Sequence, residues 1–215
     1  MAKSIYSLLL SDEIVQKLDE SAKENGLSRS AMADYVLSCY LGCVNDDADK
    51  RNVWAQTERI LSSVSHMKFV NNAQTDMAQI VTDLPFKYNP KVVYRLQLSQ
   101  RDGVIAVVSL NTRTQNERLS ALLADFYKRL AVLEMQFLKN VSAACEGGKY
   151  VSVLYGKPSG TEQTAYEIAE YVYTLDEMLK LWICGNEAHA AQIFCNYVRR
   201  HGPGAISDSG AINKV

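Results

Sequence analysis

Between Ser4 and Leu10 the side chains sort at period two, with Tyr6, Leu8 and Leu10 on one side and Ile5, Ser7 and Leu9 on the other, which predicts a short strand. The period then lengthens. Ile14, Val15, Leu18 and Ala22 form a helical stripe beside Lys17, Asp19, Glu20, Lys23 and Glu24, with Ser11 placed as N-cap and Asp12 and Glu13 in the positive first turn. Gly26 supplies a left-handed stop. Ser28 then caps a second helix whose Ala31, Met32, Tyr35, Val36, Cys39 and Tyr40 make a wide apolar face. A strand and two short helices bury too little surface to fold alone, so the segment calls for a partner chain.

Downstream, Val53, Trp54, Thr57, Ile60, Leu61 and Val64 predict a helix, and Ala73, Met77, Ile80, Val81 and Leu84 a second one stopped by Pro85. Val92, Tyr94, Leu96 and Leu98 alternate with Val93, Arg95, Gln97 and Ser99, as a strand with one buried face does. Gln100-Arg101-Asp102-Gly103 turns the chain into a second strand, Val104 to Leu110, and a third is expected at Tyr150 to Tyr155. Thr114 with Glu117 makes a capping box. Behind it Leu119, Leu123, Phe126, Leu130, Leu133 and Phe137 space as a core helix lying on the hairpin, with a coiled-coil dimer seam as the sharper alternative. Thr161 to Tyr173 is ambiguous between helix and strand. Thr174 and Glu177 form another capping box, leading to Gly185, and a last helix runs from about Glu187 to Arg200. The domains expected are 1–44, a polar linker at 45–52, an α+β domain at 53–203 with a small antiparallel sheet and packed helices, and a disordered tail at 204–215.

The order strand, helix, Asn25-Gly26-Leu27-Ser28, helix over residues 4–41 resembles the ribbon-helix-helix family of bacterial, phage and plasmid DNA-binding proteins. A helix-turn-helix reading of Ala22 to Ser28 is weaker, because the outward positions of the second helix, Ser30, Ala33, Asp34, Leu37 and Ser38, suit base reading poorly. The resemblance implies an N-terminal ribbon-helix-helix fold, a β-α-α unit intertwined as a homodimer or higher oligomer on double-stranded DNA. It places Lys3, Ile5, Ser7 and Leu9 against base edges and sets the amides around Ser28, Arg29 and Ser30 on a phosphate. The commonest role it implies is a transcriptional repressor, with plasmid partition or conjugative mobilisation as a further DNA role. The non-DNA alternative is an interaction scaffold whose N-terminus only dimerises. Residues 45–215 carry no family resemblance; oligomerisation, ligand sensing or recruitment of a protein partner are the roles open to them.

Composition adjusts this picture. The 215 residues hold 23 Lys and Arg against 24 Asp and Glu. Within residues 1–44, Lys3, Lys17, Lys23 and Arg29 face Asp12, Glu13, Asp19, Glu20, Glu24 and Asp34, a net negative module where phosphate binding favours a basic one. Cys39, Cys43, Cys145, Cys184 and Cys195 are odd in number and read as reduced core thiols. Cys184, His189, Cys195 and His201 depart from the usual zinc spacings, so no metal is expected. Gly147-Gly148-Lys149 and Gly156 to Thr161 lack phosphate-loop spacing, and neither a triad nor a nucleophile elbow is present, so neither a cofactor nor an enzymatic activity is expected. The longest apolar runs fall short of the roughly 20 residues that span a bilayer, and a cytoplasmic location is expected.

Overall fold

The computed structural model describes residues 7–24, 26–41, 46–64, 67–71, 76–99, 102–112, 114–156 and 160–202. The chain forms two compact units, Met1–Asp49 and Lys50–Val215. The boundary falls inside a helix, α3 (Asp46–Val64). The polar stretch expected as a linker at 45–52 is helical from Asp46 onward.

The first unit is helical. α1 (Asp12–Glu24) begins where Asp12 and Glu13 meet the positive helix end, and it is laced on its outer side by Lys17 to Glu13 and Gln16 to Glu20, each at 3.0 Å. Gly26 turns the chain at φ 64°, and the Leu27 amide returns to the Ala22 carbonyl at 2.8 Å. Ser28 opens α2 (Arg29–Leu41), its hydroxyl accepting from the Ala31 amide at 3.2 Å.

The ribbon-helix-helix fold expected for residues 4–41 is not what the chain adopts. Ser7 to Leu10 is exposed, irregular backbone, and the N-terminal region that follows, α1 to α3, is helical, with no β-α-α ribbon among the described residues. Alternation alone does not make a strand. A strand also needs a neighbour for its backbone N–H and C=O groups, and among the described residues no strand pairs with residues 7–10. Lys3, Ile5 and the start of that expected strand lie outside the described residues.

The second unit corrects the expected small sheet to six strands: β1 (Lys68–Asn71), β2 (Met77–Asp83), β3 (Lys91–Leu98), β4 (Val104–Thr112), β5 (Val141–Glu146) and β6 (Lys149–Tyr155). Their order is β1-β2-β3-β4-β6-β5, antiparallel throughout. Residues 77–83, read as helix, are strand. Ile80, Val81 and Thr82 are β-branched, and Ala78, Ile80 and Thr82 turn inward at period two. Gly147 and Gly148, at φ 57° and 76°, close the β5–β6 hairpin in the left-handed conformation a two-residue turn demands. Tyr94 and Leu96 of β3, Val108 and Leu110 of β4 and Tyr150 of β6 line the buried face.

Helices cover that face. Trp54 of α3 packs on Phe69 of β1, ring centroids 6.2 Å apart. α4 (Glu117–Phe137) buries Leu119, Leu123, Phe126 and Leu130, so the first four of the six residues of its apolar seam are core. Its N-cap is Asn116, whose side chain accepts from Leu119 N–H at 3.0 Å; Thr114 instead accepts from the Asn116 amide, so the cap lies two residues beyond the expected Thr114 and the expected capping box does not form. α5 (Thr161–Ile183) is one helix through Thr174, which is buried mid-helix and caps nothing. The Ala165, Ile168, Ala169 and Val172 stripe continues into Leu175 and Leu179 and overrides the alternating reading. α6 (Glu187–His201) closes the unit. The expected tail at 204–215 lies outside the described residues.

Candidate functional site

The expected phosphate-docking residues come together at the start of α2. Ser28, Arg29 and Ser30 are all exposed there. The Ser28 side chain takes the Ala31 amide, which leaves the Arg29 and Ser30 amides among the orphan donors of the helix start. Arg29 has a protein partner. Its Nε and Nη2 lie 2.6 and 2.5 Å from the two oxygens of Asp19 on α1, a bidentate pair. The Arg29 guanidinium holds the Asp19 carboxyl below its ordinary range, and the Arg29 pKa is raised in return. Ser7 and Leu9, the other described members of the expected reading face, are exposed on irregular backbone and do not join this cluster.

What the sequence-based reading missed in this unit is the extent of bare apolar surface. Ser30, Asp34 and Ser38 make a narrow polar stripe on α2, and Val36, Leu37, Tyr40 and Leu41 are exposed around the rest, Tyr40 at 86% and Leu41 at 66%. Leu8, Leu9, Leu10 and Ile14 add to it. A helix apolar on nearly all sides is stable in water only when something covers it. The signal was legible at Leu37 and Leu41, which fall outside the single face that was read.

The second unit contains buried acids. Glu134 of α4 is 2% exposed, and its carboxylate meets the hydroxyls of Tyr150 (β6) and Tyr171 (α5), the latter donating to Oε1 at 2.9 Å. Tyr171 also lies 2.6 Å from Ser152 Oγ. Burial without a cation raises the Glu134 pKa to about 7, against the opposing pull of the two tyrosine hydrogen bonds. The cluster is closed to solvent and contains no nucleophile facing a cavity, so it reads as a polar tie between α4, β6 and α5. A second tie joins Tyr94 to Asp176 Oδ1 at 3.1 Å and Asp176 to Lys180 at 2.5 Å.

The residues weighed as metal ligands do not converge. Cys184 and Cys195 are exposed, which corrects their expected burial; α6 turns Cys195 outward, and Cys184 sits at the C-terminal end of α5. His201 pairs with Glu170 at 2.9 Å. Among the described residues no group of three His, Cys, Asp or Glu side chains is placed to hold a metal ion. Among them, too, no helix is long and apolar enough to cross a membrane.

No family model, no curated protein and no solved structure matches the chain.

Proposed function

We propose that the protein is a non-enzymatic homodimer, assembled through its N-terminal helical unit, and that the dimer binds double-stranded DNA as a transcriptional regulator. The observation that carries the proposal is the bare apolar surface of α1 and α2. A unit that buries Ala22 and Met32 while exposing Val36, Leu37, Tyr40 and Leu41 lacks a core of its own, and an identical copy supplies the same complementary surface. The DNA half rests on the start of α2, where exposed Ser28, Arg29 and Ser30 form a polar end to an otherwise apolar helix. A ribbon plays no part in it. Plasmid partition or mobilisation would use the same contact.

The Arg29–Asp19 pair favours a second reading, an interaction scaffold that dimerises without touching DNA, since the one cation at the α2 start is already neutralised. Fluorescence anisotropy on labelled duplex across a salt series separates the two. DNA binding predicts salt-dependent binding by the full chain, tighter binding by Asp19→Ala, which frees Arg29 and removes a negative charge, and at least ~10-fold weaker binding by Arg29→Glu. A dimer on which wild type and Asp19→Ala both leave the duplex unbound establishes the scaffold.

A further inference from the structure

Where α4, α5 and α6 meet, the second unit opens a cleft of about 350 Å³, at the lower end of the range for small-molecule sites. Its walls are apolar apart from Arg129 of α4 and Glu187 of α6. Phe126, Leu130 and Leu133 come from α4 and Met178 and Trp182 from α5, with the Phe126 and Trp182 rings 5.8 Å apart. The opening follows from the sequence of α6. Glu187, Ala190, Ala191 and Phe194 recur at i, i+3, i+4 and i+7, so two alanines stand where a packed helix would carry leucines, and Ala188 widens the mouth. This is also where the α4 seam leaves the core, at half-buried Leu133.

One cation serves the cleft. The Arg129 guanidinium lies 5.1 Å from the Trp182 ring centroid. Asp125 engages it through Nε alone, at 3.1 to 3.2 Å, so that among the described residues both Nη groups have no hydrogen-bond partner. An apolar chamber with free, forked N–H donors at its rim is complementary to an apolar body ending in a carboxylate.

We propose that the cleft between α4, α5 and α6 binds a small hydrophobic carboxylate, its apolar part against Phe126, Leu130 and Trp182 and its carboxylate on the Nη groups of Arg129. The site lies wholly in the second unit and stands whether or not the first unit binds DNA.

The test is titration of the full chain with octanoate and, separately, with uncharged octanamide, read by tryptophan fluorescence and by calorimetry. Saturable one-to-one binding of octanoate is expected, at least ~5-fold tighter than octanamide. Arg129→Gln should erase that preference while leaving octanamide binding in place. Ala191→Leu should abolish binding of both with the thermal transition unchanged or raised, because it fills the cleft from an exposed position; Ala188→Leu provides the same test if Ala191→Leu fails to fold. Absence of saturable binding at millimolar octanoate, or undiminished binding by the folded leucine variant, overturns the site. Equal affinity for the two probes overturns the assignment of a carboxylate.

Discussion

Glu134 is the side chain whose chemistry differs most from its surroundings. With a folded pKa of about 7 against an ordinary 4.5, it binds a proton on folding across that interval. In the unfolded chain the carboxyl ionises near 4.5, so stability falls as pH rises from about 4.5 through 7, by on the order of 3 kcal/mol for this group. Glu134→Gln should therefore raise stability at pH 8 and leave it nearly unchanged at pH 4.5, read as chemical denaturation midpoints at the two pH values. An equal effect at both would show that Glu134 is ionised throughout. Tyr171→Phe, which removes a donor to Glu134 and a neighbour of Ser152, should cost roughly 1–3 kcal/mol. None of this was legible in the sequence. Glu134 follows the apolar seam of α4 by one position, and only the arrival of Tyr150 and Tyr171 from distant elements makes it a buried acid.

Among the elements, those whose register follows from local chemistry were legible. Ser28 and Gly26 mark the two ends of the α1–α2 turn, and β3 buries Val92, Tyr94, Leu96 and Leu98 in the anticipated alternation. The misreadings share a cause. Lys68–Asn71 and Val141–Glu146 are edge strands of four and six residues, with too few alternating positions to stand out. Residues 77–83 fit both periods, and it is pairing with β3, Val81 opposite Val93, that makes them a strand. At Thr114 and Thr174 a capping motif was present without a helix end for it to cap. The α4 boundary can be checked directly. Asn116→Ala should destabilise by about 1 kcal/mol, by loss of the bond to the Leu119 amide, and Thr114→Ala by less, measured by urea denaturation. The reverse order would return the cap to Thr114.

The chain combines a first unit with almost no core of its own and a second that buries its apolar residues on one face of a six-stranded sheet. The bare surface of α2 follows from that imbalance, and with it the dimer. Leu37→Asp with Tyr40→Ser removes two exposed apolar side chains from α2. The double variant should therefore keep the far-ultraviolet circular dichroism of the second unit while losing self-association. The most direct measurement is the molar mass of the full chain by sedimentation equilibrium at micromolar concentration. A mass twice the 24.0 kDa of the chain, falling to 24.0 kDa in the Leu37→Asp, Tyr40→Ser variant, is the predicted result. A wild-type protein that remains at 24.0 kDa would contradict the account.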